Sequence, residues 1–151
     1  MKVSARVDYA LRAVVQISLR PDAVTTKREL SDSQEIPARF LENILVQLVR
    51  SAILVAERGA RGGYRLGRPA AEISVADVVR AIDGPLAGVR GSPPEQISYP
   101  ESTRAVQSVW VALRASMRTV LEVTTIEAIA AGQLPAAATN LLQHPGAWER
   151  R

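Results

Sequence analysis

The chain of 151 residues contains no cysteine, a single histidine and a single phenylalanine, and aromatic residues make up only 4% of it. Without cysteine there are no disulfides, thiol nucleophiles, zinc–thiolate sites or cysteine-ligated iron–sulfur clusters. His144, between Gln143 and Pro145 near the C-terminus, reads as a solvated side chain. Paired carboxylates on one helical face are lacking as well, so general acid–base and nucleophilic catalysis have no candidate residues. The expectation is a non-enzyme with no metal site and no cofactor. No apolar run approaches the roughly 20 residues that a membrane span needs. The opening Met1-Lys2-Val3-Ser4 runs directly into Arg6, Asp8 and Arg12, which is not the pattern of a secretory leader. A cytoplasmic protein without a membrane partner is the default.

Apolar residues make up 47% of the chain, enough for a proper core. Charge is unevenly placed. Residues 1–70 hold 12 Lys+Arg against 7 Asp+Glu, a net of +5, whereas residues 71–151 hold 7 against 8, a net of −1. The N-terminal half is therefore where a polyanionic partner would bind.

Ser4 to Leu19 keeps a helical apolar stripe through Val7, Ala10, Leu11, Val14, Val15 and Ile17. Arg20-Pro21-Asp22 ends it. Thr26-Lys27-Arg28-Glu29 has capping-box spacing and opens a short helix to about Ser33. After the tight connection Gln34-Glu35-Ile36, Pro37 suits the first turn of a third helix that runs to about Ser51. Phe40, Leu41, Ile44, Leu45 and Leu48 form its expected inward face, leaving Arg39, Glu42, Asn43, Val46, Gln47 and Arg50 largely elsewhere. Two short extended runs follow, Leu54–Glu57 and Tyr64–Leu66, joined by the basic glycine-rich loop Arg58-Gly59-Ala60-Arg61-Gly62-Gly63. Ser74 to Asp77 caps a fourth helix with the stripe Val75, Val78, Val79 and Ile82, stopped at Gly84. Residues 85–100 are rich in Gly, Pro and Ser and read as a long loop. A long amphipathic helix is expected from Glu101 to Val123, with Val106, Val109, Trp110, Leu113, Met117, Val120 and Leu121 on one stripe. Thr124–Glu127 recaps a short helix ending at Gly132, and the tail beyond Pro135 is weakly patterned.

Two short helices joined by a tight turn and followed by a basic hairpin make a winged helix-turn-helix. The fold class is mainly α with a small β-wing. Helix Pro37–Ser51 would enter the major groove of double-stranded DNA, where Arg can fork onto guanine, Asn onto adenine, and Glu can accept from cytosine. Arg39, Glu42, Asn43 and Gln47 are the candidate readers. Arg58 and Arg61 would approach phosphates or the minor groove from the wing, whose Gly62, Gly63 and Tyr64 complete the candidate contact set.

Four segments also resemble one family: Asp8–Ala13, Phe40-Leu41-Glu42, the wing Arg58–Leu66, and Ile73–Gly84. They are similar to the Rrf-two family of winged helix-turn-helix transcriptional regulators, relatives of IscR, NsrR and CymR, over residues 1 to about 132. The resemblance implies a homodimer in which the long helix packs on the partner subunit through its stripe. It implies base or groove contacts from Glu42, Asn43 and Arg58, and DNA-backbone contacts from Lys2, Ser4 and Arg6. It divides the chain into a DNA-binding region (1–84), a sensory-position loop (85–100), a dimerisation helix with the short helix after it (101–132), and a tail (133–151).

This chain departs from the family pattern at the sensor. Gly91 and Arg104 fall about where cluster-ligating cysteines would lie, and Gln107 where a ligating histidine can lie. Asp8 matches a ligating carboxylate of some relatives but cannot hold a cluster alone, and reads as a cap or ion-pair residue of the first helix. Ala52 replaces a glycine usual before the wing. The expectation is a cluster-free regulator, a repressor on an inverted-repeat operator, with a small-molecule or protein effector received near Tyr99, Arg104 and Trp110. The alternative is a protein- or metabolite-binding module that keeps the scaffold and has lost DNA binding.

Overall fold

The computed structural model describes residues 2–59 and 62–149. Helix α1 (Ala5–Ser18) starts where the Ser4 hydroxyl accepts the Val7 backbone N–H at 3.2 Å. It buries Val7, Ala10, Ala13, Val14 and Ile17. The two alanines leave room for α3, α4 and α6 to approach, and α1 packs against all three.

Helix α2 (Lys27–Gln34) carries the expected capping box. The Glu29 N–H donates to the Thr26 hydroxyl at 3.1 Å, and the Thr26 N–H donates to the Glu29 carboxylate at 2.7 Å. Those bonds from Thr26, with a smaller contribution from Arg20, hold the Glu29 carboxyl below its ordinary range. Glu35, left-handed at φ 53°, turns the chain sharply into α3 (Ala38–Arg50). Pro37 is the residue before α3 rather than part of its first turn. Leu41, Ile44, Leu45 and Leu48 are fully buried in α3. Phe40, expected on the same face, is instead 41% exposed. It lies one position off the buried stripe, and its ring leans on Tyr9 at a centroid distance of 6.3 Å.

The wing is the antiparallel pair β1 (Leu54–Glu57) and β2 (Gly63–Leu66), with Leu54 opposite Leu66 and Glu57 opposite Gly63. Gly63 is already in the strand, one residue earlier than expected. Gly62 and Gly63 are demanded by crowding: a Cβ on Gly62 would sit 2.4 Å from the Glu57 carbonyl oxygen, and one on Gly63 2.8 Å from that of Thr25. Thr25 and Tyr64 exchange two backbone hydrogen bonds of 2.9 Å, which ties the wing to the start of α2.

Helix α4 (Val75–Asp83) begins with a second capping box, Ser74 with Asp77, and stops at Gly84 with φ 83°. The long helix α5 spans Ala105–Leu121. It is shorter than expected because Glu101–Thr103 forms a separate 3₁₀ turn behind Pro100, and at its far end the chain leaves the helix to reach Thr124. The short helix α6 (Ile126–Ala130) is capped by Thr125. Its Ile126 joins the same core cluster as α1 and α3, and a Ser74–Thr125 bridge ties it to the start of α4. The tail forms a further helix, α7 (Ala136–Leu142), which packs on α5 and was not anticipated. Its run Ala136-Ala137-Ala138 favours helix but has no apolar stripe to announce it.

Ala52 sits at φ 56°, a left-handed conformation that strains an L side chain. Ala52→Gly is expected to raise stability by about 0.5–1 kcal/mol in urea denaturation. The buried Thr25 hydroxyl has no hydrogen-bond partner among the described residues. Thr25→Val is therefore expected to be neutral or to stabilise by roughly 1 kcal/mol, and a clear loss of stability would show that the hydroxyl is satisfied after all.

Candidate nucleic-acid interface

The outward side of α3 is set by its inward side. With Leu41, Ile44, Leu45 and Leu48 sealed in the core, Arg39, Glu42, Asn43 and Val46 are forced into solvent on the first turns. The Arg39 guanidinium lies over the Phe40 ring at 4.9 Å, so the exposed Phe40 serves to hold Arg39 outward. Lys27, at the first position of α2, pairs with Glu42 across the turn at 3.4 Å. Sequence reasoning did not single out Lys27, although its place beside the Thr26 cap puts its amine near the α3 surface. From α1, Arg6 donates to the Gln47 side chain at 2.8 Å, so one carried-over backbone contact and one candidate reader meet at the same point.

The remaining candidates are distributed unevenly. Lys2 is exposed on the segment before α1. Ser4 has its hydroxyl engaged as the α1 cap. Arg58 is exposed at the wing, and among the described residues it pairs with no carboxylate, nor do Lys2 and Arg39. Arg61 lies outside the described residues. Tyr64 is half-buried against the core, with its backbone bonded to Thr25; it fixes the wing's position. Asp8 forms an ion pair with Arg12 at 3.4 Å, the role expected of it on the first helix.

A second constellation surrounds residues 85–100. Gln107, at the position where a relative can carry a ligating histidine, donates its side-chain amide to the carbonyls of Pro94, Glu95 and Ile97 at 3.3, 3.3 and 2.9 Å. It fastens the loop to α5 by hydrogen bonds. The donor set does not fit an iron–sulfur cluster: the chain has no thiolate to offer, and among the described residues no three His, Cys, Asp or Glu side chains gather in metal-binding geometry. Nearby, Glu95 pairs with Arg114, and Glu122 pairs with both Arg80 and Arg118. The Glu95 carboxyl is held low first by its own backbone N–H and then by Arg114, and that of Glu122 by Arg80 and then Arg118. Because these folded-state values are depressed, what the pairs contribute is present above the ordinary value of 4.5 and is lost as pH falls through the lower folded values. Of the residues expected to receive an effector, Tyr99 and Trp110 are half-buried, and Arg104 is exposed and paired with Glu101. Two cavities that border this loop are lined by other residues.

Half of a buried helix pair turned outward beside a two-stranded wing defines a class: a winged helix-turn-helix, the architecture of DNA-binding transcriptional regulators. Comparison with known proteins makes the assignment specific. Residues 3–132 match the Rrf2 family, described as an iron-dependent transcriptional regulator, and this chain belongs to it. It is 46% identical over 136 residues to Rv1287 of Mycobacterium tuberculosis strain H37Rv, designated an HTH-type transcriptional regulator, across 89% of this chain and 84% of that protein. It is 26% identical over 131 residues to the HTH-type transcriptional regulator CymR of Bacillus subtilis, across 86% of this chain and 90% of that one. The solved structure of B. subtilis CymR, titled the global cysteine regulator, superimposes with a TM-score of 0.74 at 24% identity, covering 88% of this chain and 98% of that one. T. potens IscR gives 0.70 at 22% identity, covering 87% and 88%. Both share the fold.

The Gln107 clamp is directly testable. Gln107→Ala removes the donor to three loop carbonyls and is expected to destabilise by about 1 kcal/mol. Amide hydrogen exchange should accelerate around residues 94–97 while α3 is unaffected. Unchanged exchange in that segment would show that other contacts hold the loop.

Proposed function

We propose that this chain is a cluster-free repressor that binds an inverted-repeat operator as a homodimer, reading bases through Arg39, Glu42, Asn43 and Gln47 and gripping the backbone through Lys2, Ser4, Arg6 and the wing residues Arg58 and Arg61. The observation that carries this reading is the outward set on α3: three side chains able to read base edges, on a helix anchored by four buried apolar residues, with Lys27 beside them on α2. Lys27 adds a cation at the N-terminus of α2, where backbone N–H groups also favour phosphate.

Support for the dimer comes from α5. Its 17 residues include no buried side chain, and Val106 and Val109 stand exposed, the latter at 59%. An apolar stripe left open over such a length favours a second copy, with Trp110, Leu113, Met117, Val120 and Leu121 half-buried along it. Two-fold symmetry then requires two half-sites about one helical turn or somewhat more apart. A dimer seated over promoter DNA represses by excluding polymerase. The absence of cysteine makes operator binding independent of iron, so the anaerobically purified protein is expected to be colourless and to bind DNA unchanged after chelation.

Footprinting on DNA flanking the gene should give a symmetric protected site, and in vitro transcription from that promoter should fall as protein is added. A short asymmetric footprint would overturn the dimer, and stimulated transcription would overturn repression. Arg58→Ala is expected to weaken all sequences alike and to reduce the slope of log K against log salt by about 1. Glu42 repels phosphate, so Glu42→Ala should relax base preference more than it lowers affinity. Complete loss of DNA binding in a folded, dimeric Glu42→Ala protein would remove it as a selectivity residue.

A further inference from the structure

Between the last turn of α4, the segment 93–95 and the outer side of α5 lies an open cavity of about 510 Å³, lined by Arg80, Arg114, Arg118, Glu95 and an apolar group of Gly84, Pro85, Leu86 and Pro93. Its volume is within the range of small-molecule sites, roughly 300–1,000 Å³. The lining brings together three guanidiniums and one carboxylate, Glu95, while Glu122 and Asp77 meet two of the guanidiniums from beside the cavity. Arg114 and Arg118 stand one turn apart on α5, and Arg80 faces them from α4, so the cations arrive from two helices. Each is engaged by a carboxylate of the chain itself: Arg114 by Glu95, Arg80 and Arg118 by Glu122, and Arg80 also by Asp77 at 3.9 Å. The Glu95 and Glu122 side chains are 51% and 32% exposed, so these pairs are screened and readily exchanged.

We propose that this cavity binds a small metabolite carrying at least two anionic groups, a polycarboxylate or a phosphorylated acid, with its charges on Arg80, Arg114 and Arg118 and its carbon skeleton against Pro85, Leu86 and Pro93. Glu95 occupies the ligand's place in the unliganded protein. Guanidiniums present paired N–H donors that suit carboxylate and phosphate, and a dianion satisfies them without the separate side chains now needed. The apolar floor selects an organic anion over a bare inorganic one.

The site lies at a junction. Its α5 wall is continuous with the helix proposed to dimerise. Its loop wall carries Glu95, in the segment that Gln107 clamps. Beyond the C-terminal end of α5 the chain is pinned to the start of α4 by the Ser74–Thr125 bridge. An anion that takes Arg114 from Glu95 changes what holds the loop between these fixed points, and it alters operator affinity to the extent that it binds the free and DNA-bound dimers unequally. That coupling rests on the DNA-binding reading above; the binding of the anion does not.

Isothermal titration with citrate and, separately, phosphoenolpyruvate tests the site on the full chain at constant ionic strength, with inorganic phosphate as reference. One of the two organic anions should bind with one-per-chain stoichiometry, and the tighter identifies the class. Arg114→Gln should weaken it by about tenfold or more. Glu95→Gln, which removes the internal competitor, should tighten it, a change that a merely structural role for the pair would not produce. Arg20→Gln, which removes a cation elsewhere, should leave it unchanged. No binding, equal binding of inorganic phosphate, or equal weakening by Arg20→Gln would overturn the site. Fluorescence anisotropy on operator DNA reads the coupling: the ligand should shift operator affinity in the wild type and not in Arg114→Gln. Ligand binding without that shift overturns the coupling alone, whereas failure to bind any operator with ligand titration intact overturns the DNA reading alone.

Discussion

The structure depends on the burial of one face of α3. Leu41, Ile44, Leu45 and Leu48 are removed from water against α1, α2, α4 and β1, and each such side chain stabilises by about 1.5–3 kcal/mol. No surface ion pair approaches that magnitude, since exposed pairs contribute roughly 0–1 kcal/mol. The helix is therefore held from behind, and Arg39, Glu42 and Asn43 are presented to solvent as a consequence. The same anchoring frees these three positions from any duty to the core, so their side chains can change while the fold stays the same.

The wing and the turn before it are subordinate to that helix. Ile53 bonds back to Leu48, Gly67 bonds to Ile53, and Thr25 pairs with Tyr64, so the hairpin is fastened at its base on both sides. Ala52 takes a left-handed conformation that an alanine does not favour, so the geometry of this corner is imposed by the core on either side rather than chosen by the residue at it.

Around residues 85–100, hydrogen bonds and ion pairs hold the chain against α4 and α5. Gln107 holds three loop carbonyls, and Arg80, Arg114 and Arg118 are each met by a carboxylate. These contacts are weaker and more exchangeable than metal–thiolate bonds. A loop fastened in this way is held by contacts that exchange with solvent and ions.

Local pattern determined much of this protein. The capping boxes at Thr26 and Ser74, the glycine hairpin and the 3.6-residue stripes of α1, α3 and α4 are short-range signals whose physics is complete within a few residues, and the structure keeps them. Four segments in order were enough to indicate the family. What tertiary structure alone decided involves residues distant along the chain. Phe40 turned out to support Arg39 because Tyr9, from another helix, offered it a surface. α6 joined the core through Ile126, and α7 formed where no stripe predicted it because α5 gave it a face to pack on. The arginine cavity was hidden for the same reason. Arg114, Arg118 and Glu122 repeat every four residues and look like an ordinary solvated helix face, and only folding brings Arg80 and Glu95 beside them, since contacts between residues 42 and 19 positions apart leave no periodic trace in sequence.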